Sequence, residues 1–128
     1  MEKTCGEGVV SIIDDDRGIR LALAALMRSA GLAVQAFATA EEFLQSSAMD
    51  QTACLVLDVH LPKMSGLELQ QLLTGDGRRV PTIFITAHEC ERARALALQY
   101  GAAAFLSKPL SGGVLLACVR AAMKLSSL

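Results

Sequence analysis

No surplus of positive charge marks this sequence: 12 Lys and Arg face 13 Asp and Glu, for a net charge of −1. A nucleic-acid footprint is strongly and locally basic. The basic clusters here, Arg78-Arg79 and the Arg92/Arg94 pair, read as solvated loop or helix positions. The expectation is a domain with no direct contact to nucleic acid. A C-x-x-C pair is also missing: Cys5, Cys54, Cys90 and Cys118 lie far apart and without metal-ligand spacing. Cys54 and Cys118 fall inside apolar segments, where a free thiol behaves as a small hydrophobe, so reduced cytosol is the expected setting. No apolar run is long enough for a signal-peptide core or a membrane span, and the expectation is a soluble, cytoplasmic protein. At 128 residues, 52% of them apolar, the chain has room for one domain with its own core and none for a second.

What the sequence does have is acid at the ends of apolar runs. Asp14 and Asp15 end the run Val9-Val10-Ser11-Ile12-Ile13, and Asp58 ends Leu55-Val56-Leu57. Carboxylates about 4 Å apart repel by roughly 4 kcal/mol even at an effective dielectric near 20. An acidic pocket at two buried strand tips is therefore expensive unless a cation or a phosphoryl group uses it.

Short β-like runs alternate with helical patterns along the chain. Asp16 caps a helix with Ile19, Leu23, Leu26, Met27 and Ala30 three or four apart, and Gly31 sits where a helix end wants a left-handed residue. A strand follows at Val34 to Phe37. Thr39-Ala40-Glu41-Glu42 opens a helix with Phe43 and Leu44, and Ser65-Gly66-Leu67-Glu68 opens one with Leu69, Leu72 and Leu73 inward; both are capping boxes. Pro81 precedes a strand, Thr82 to Thr86, and an Ala-rich helix from about Glu91 to Tyr100 stops at Gly101. A strand at Ala103 to Leu106 leads to Lys108-Pro109. The last helix covers about Ser111 to Lys124, with Leu115, Leu116, Val119, Ala122 and Met123 inward.

Five such βα units with nearly continuous apolar strands imply a parallel sheet with helices on both faces. Ligands of such sheets bind beyond the carboxyl ends of the strands, where strand order reverses. Under the order 2-1-3-4-5, an assumption about the fold that spacing alone does not show, Asp14, Asp15, Asp58, Thr86 and Lys108 converge.

Several segments together carry a resemblance: the acid pair in Ile12-Ile13-Asp14-Asp15, Asp58-Val59-His60-Leu61-Pro62-Lys63-Met64-Ser65-Gly66, Thr86-Ala87, and Phe105-Leu106-Ser107-Lys108-Pro109. In this order and spacing the sequence resembles the receiver domain of two-component response regulators, from about Val9 to Lys124, and is closest in pattern to regulators with a helix-turn-helix output. The resemblance implies a flavodoxin-like, doubly wound five-stranded parallel sheet over residues 9–124. Residues 1–8 are then expected to be a flexible segment and 125–128 a tail or the start of a linker.

The same resemblance implies the chemistry. Asp58 takes a phosphoryl group from a sensor histidine kinase, by in-line attack in which positioning and charge neutralisation do most of the work. Mg²⁺, for which Mn²⁺ can substitute, is held by Asp15 directly, by Asp14 through water, by Asp58 and by the backbone carbonyl of His60, an all-oxygen set that suits it. Lys108 supplies a mobile positive charge and Thr86 a hydroxyl for the phosphoryl oxygens, with the small Ala87 leaving room; Pro109 follows a cis peptide. Thr86 and Phe105 form the switch, altering the face made by the fourth helix, fifth strand and fifth helix. His60 and His88 each lie two residues after a site residue. They are read as solvent-facing side chains or as groups that tune autodephosphorylation, in a pH-dependent way because histidine titrates near neutrality. Implied partners are the kinase, a phosphorylation-dependent homodimer, and a C-terminal DNA-binding output domain absent from this chain. Beyond self-catalysed phosphorylation and slow autodephosphorylation, no enzyme activity is expected.

Two other classes compete. A haloacid-dehalogenase-like phosphatase would use Asp14-Asp15-Asp16, Thr86 and Lys108, but it needs an acidic pair after its lysine, and no Asp or Glu follows Glu91. It also leaves Asp58 unexplained. A phosphorylation-independent interaction module would have lost one of the site residues, and none is lost. Asp16 is read as a helix cap rather than a ligand.

Overall fold

The computed structural model describes residues 8–88 and 90–126; the expectation of a flexible segment over 1–8 lies, for 1–7, outside the described residues, as do 127–128 of the expected tail, while 125 and 126 belong to the last helix instead of a tail. Five strands, β1 (Val9–Ile13), β2 (Val34–Phe37), β3 (Thr52–Asp58), β4 (Thr82–Thr86) and β5 (Ala104–Ser107), alternate with five helices. These are α1 (Arg17–Ser29), α2 (Ala40–Leu44), α3 (Gly66–Gly75), α4 (Glu91–Gln99) and α5 (Gly112–Ser126). All strand pairs are parallel, in the order β2-β1-β3-β4-β5, as expected.

The central strands are largely apolar because both faces are covered, whereas the edge strand β2 leaves Gln35 and Ala36 exposed. Alternation along each strand sends Val10, Ile12, Cys54, Val56, Ile83 and Ile85 to one face, against Leu23, Ala24 and Met27 of α1 and Leu115, Val119 and Ala122 of α5. Ile13, Leu55, Leu57, Phe84 and Phe105 go to the other, against Phe43 of α2, Leu69 and Leu73 of α3 and Ala97 of α4. Each fully buried Leu, Ile or Phe contributes about 2–3 kcal/mol. Ser11, polar and wholly buried, is satisfied by Thr52, whose hydroxyl lies 2.7 Å away and itself donates to the Ala48 carbonyl.

Helix starts follow their caps. Asp16 accepts from the Ile19 N–H at 3.1 Å, and Ser65 and Glu68 close a complete capping box. Thr39 caps α2 through the Glu42 N–H, but the Glu42 carboxylate reaches the N–H of Ala38 rather than that of Thr39. Gly31 and Gly101, at φ +82° and +93°, end α1 and α4 in the left-handed region.

Besides the capping box at Thr39, several expectations need correction. Leu72 does not face inward: it is 43% exposed, because α3 seats Leu69 and Leu73 on the sheet and turns Leu72 about 100° away. β3 begins at Thr52, three residues before its apolar run, since the Thr52 hydroxyl finds Ser11 and Ala48. β5 runs Ala104–Ser107, one residue later than Ala103–Leu106, set by the pairing of Thr86 with Ser107. A short 3₁₀ turn, Ser47–Gln51, was not anticipated.

Candidate functional site

At the carboxyl edge of the sheet, β1 and β3 end side by side, with Ile13 opposite Leu57. Asp14, the next residue, is fully buried. Every polar atom of its carboxylate and carbonyl is engaged: Oδ1 accepts from the Asp16 N–H at 2.9 Å, Oδ2 from Lys108 Nζ at 2.9 Å, and the main-chain oxygen from Arg20 Nη1 at 2.8 Å. Asp58, the last residue of β3 and 5% exposed, accepts from the His60 N–H at 3.0 Å and from Lys108 Nζ at 3.3 Å. Asp15 is exposed at the mouth. Carboxylate oxygens of Asp14, Asp15 and Asp58 lie within 4.8 Å of one another, and Lys108 bridges two of the three.

Burial pushes the Asp58 carboxyl above its ordinary 3.8, with the nearby Asp14 charge adding to the rise, while the His60 N–H and Lys108 pull the other way. For Lys108, burial works to lower its affinity for the proton, but its hydrogen bond to Asp14 and the charges of Asp58 and Asp14 outweigh that and leave it above 10.5. Away from the site, burial and the neighbouring Cys118 push the Cys54 thiol up to about 12, so it is an inert core residue.

Thr86 ends β4 and is fully buried. Its hydroxyl closes on the following turn, donating to the His88 carbonyl at 2.9 Å and accepting from the His88 N–H at 3.1 Å. Its carbonyl accepts from the Lys108 N–H at 2.7 Å, and the Lys108–Pro109 peptide is cis. His60 and His88 are exposed and stand edge to face, ring centroids 6.0 Å apart. Phe105 is 7% exposed, its ring 6.2 Å from that of Phe84 and under the Arg94 guanidinium at 5.7 Å. Asp16 turns away to cap α1.

The fold thus brings Asp14, Asp15, Asp58 and Lys108 into one cluster, with Thr86 tied to Lys108 through the main chain and the two histidines flanking. Sequence reasoning missed Arg20. Its hold on the Asp14 carbonyl fixes the peptide that carries Asp15; the signal was its place one turn after Asp16, where a long side chain reaches back to the strand end.

Gly66 opens α3 directly beneath Asp58. Its N–H donates to the Val59 carbonyl at 3.0 Å, and a Cβ there would overlap the Asp58 main-chain oxygen. Because backbone cannot step aside as a flexible side chain does, Gly66→Ala is expected to cost about 2–3 kcal/mol. Chemical denaturation would show it as a lower midpoint at unchanged slope.

Fold and cluster define a class: a doubly wound α/β domain with an acidic pocket where the strand order reverses. The chain belongs to the response regulator receiver domain family, matching it over residues 10–120. It is 41% identical to the response regulator protein TodT of Pseudomonas putida, over 92% of this chain and 52% of TodT. It is 39% identical to the transcriptional regulatory protein FixJ of Azorhizobium caulinodans, over 89% of this chain and 54% of that protein. The crystal structure of FixJ-N superposes with a TM-score of 0.84 at 31% identity, covering 92% of this chain and 94% of that one. The chain spans about half the length of the curated relatives it matches. No helix among the described residues is long and apolar enough to cross a membrane.

Proposed function

We propose that the domain is a phosphoacceptor, with Asp58 the nucleophile. An Asp58 carboxylate oxygen attacks the phosphorus of a phosphohistidine on a sensor histidine kinase, the new O–P bond forming as the N–P bond breaks and the kinase imidazole leaves. The observation that supports this most directly is the Lys108 ammonium bonded to both Asp14 and Asp58 beside the open carboxylate of Asp15. It places a movable cation where phosphoryl oxygens would develop charge.

The donor set is all oxygen, three of its members carboxylates, which fits a hard divalent cation. Asp15, Asp14, Asp58 and the His60 carbonyl would hold Mg²⁺, or Mn²⁺ in its place. When bound, the metal supplies charge neutralisation for phosphoryl transfer. Lys108 would then shift from Asp58 toward the phosphoryl oxygens, and the Thr86 hydroxyl would leave the His88 main chain to join it. Phe105, packed on Phe84, would move with Thr86 and alter the face made by α4, β5 and α5.

In this reading the receiver unit runs from residue 9 to the end of α5, and the chain beyond leads toward an output domain that binds DNA. The setting is cytoplasmic, and phosphorylation favours a homodimer. The chain turns over no external substrate beyond loading and slowly losing its own phosphoryl group.

Incubation with acetyl phosphate is expected to add one phosphoryl mass to the intact protein when Mg²⁺ is present and none when EDTA replaces it. Failure to gain mass with donor and metal both verified would remove the reading. His60 and His88, exposed and edge to face with each other, would set the access of water to the phosphoryl group. Replacing both with asparagine is expected to change the phosphoryl lifetime by roughly threefold or more, about 0.7 kcal/mol in barrier. An unchanged lifetime would reduce them to bystanders.

A further inference from the structure

At the opposite end of the sheet from the acidic cluster, a cleft of about 550 Å³ opens between the carboxyl-terminal parts of α3 and α4, by the start of β4. It lies the length of β4 from the site, about 13 Å at ~3.3 Å per residue. Its size is within the range of small-molecule pockets, roughly 300–1,000 Å³. Leu73, Val80, Pro81 and Tyr100 supply apolar wall, and Arg79 stands exposed beside them, without an ion pair among the described residues. Its neighbour Arg78 is already paired with Asp50 at 2.7 Å.

Gln70 also lines the cleft and is the observation that singles it out. The side chain is 4% exposed, and its Nε2 donates to the Ala97 carbonyl at 3.2 Å, linking α3 to α4. The other end of the same amide, Oε1, has no hydrogen-bond partner among the described residues. A buried amide oxygen left unpaired is destabilising, and a donor arriving from the cleft would relieve it. The link to Ala97 accounts for one end of the amide and leaves the other without a partner.

We propose that this cleft binds a small organic acid with an apolar ring and one N–H donor: the N–H meets Gln70 Oε1, the ring lies among Leu73, Pro81 and Tyr100, and the carboxylate faces Arg79. The oxygen is shielded from solvent, so the donor reaches it only as the cleft walls part beside the amide, with the 3.2 Å link to Ala97 kept. The ligand thereby acts on the seating of α4 from the end of the sheet remote from Asp58.

The test uses the 15N-labelled protein without any phosphodonor and three probes: indole-3-acetate, 1-naphthylacetate, which lacks the N–H, and indole, which lacks the carboxylate. Indole-3-acetate is expected to shift the Gln70 side-chain amide and the backbone amides of Leu73, Tyr100 and Gly101, saturating below about 5 mM, with each of the other probes roughly tenfold weaker. Gln70→Leu should bring indole-3-acetate down to the level of 1-naphthylacetate, and Arg79→Ala, an exposed loop change, should bring it down to that of indole. Amide dispersion like that of the wild type confirms that each variant is folded. Absence of saturable shifts with any probe, saturation mapped elsewhere on the domain, or equal affinity for all three probes would overturn the proposal.

Discussion

Asp58→Asn is expected to abolish the Mg²⁺-dependent gain of a phosphoryl mass from acetyl phosphate, a loss of at least a hundredfold in rate, while leaving the fold intact. The amide keeps an oxygen for the His60 N–H, but its NH2 cannot accept from Lys108, and it lacks the anionic oxygen that attacks phosphorus. Residual phosphorylation at the wild-type rate would move the acceptor to Asp14 or Asp15 and sink the assignment. The same substitution has a thermodynamic signature of opposite sign. Burial raises the folded-state affinity of Asp58 for its proton, so its contribution to stability is fully present below pH 3.8 and is lost as pH rises through the folded value. At neutral pH the ionised carboxylate is therefore a cost. Asp58→Asn should raise the melting temperature in EDTA by about 4 °C, corresponding to on the order of 1 kcal/mol, and the advantage should shrink in acid. Added Mg²⁺ should narrow it too, because the wild type gains a ligand that the variant has lost.

Lys108→Ala should be the most destabilising of the site substitutions. It leaves Asp14, which has no exposure, and Asp58 without their shared cation, and removing one partner of a buried ion pair costs about 3–5 kcal/mol. For a domain of this size that is a fall of roughly 10–20 °C in melting temperature at neutral pH. The pH dependence separates this from lost packing. The folded value of Lys108 lies above 10.5, so its stabilisation is fully present below that pH and disappears as pH rises through the folded value; the gap between wild type and variant should close at strongly alkaline pH. It should close in acid as well, as the carboxylates of the variant take up protons. Adding Asp14→Asn to Lys108→Ala should restore part of the loss, and additive effects of the two changes would argue against the coupling.

Much of the fold was legible because its signals were local. Strands buried on both faces read as runs such as Thr82 to Thr86, and helix starts are fixed by side chains within three residues of the backbone they bind, as with Asp16 and Ser65. The errors lie where a distant partner decides. Leu72 and Leu73 lie three and four residues after Leu69, and only the roll of α3 on the sheet selects Leu73 over Leu72. Thr52 belongs to β3 because of Ser11, 41 residues away. The members of the site were nameable for a different reason: the resemblance supplied the strand order, and strand order supplied convergence. Arg20 escaped because its contact with the Asp14 carbonyl depends on how α1 leaves β1, which periodicity does not encode. Gln70 escaped because an interior helix position gave no sign that its amide would be half satisfied.

Thr86 fastens two things with two different atoms. Its carbonyl holds the main chain of Lys108, and its hydroxyl holds the main chain of His88. The first works as a bearing and the second as a catch. A group that drew the hydroxyl away would release the turn leading into α4 while the seam between β4 and β5 stayed shut, so the outgoing loop can be reset without loosening the strand that carries the lysine.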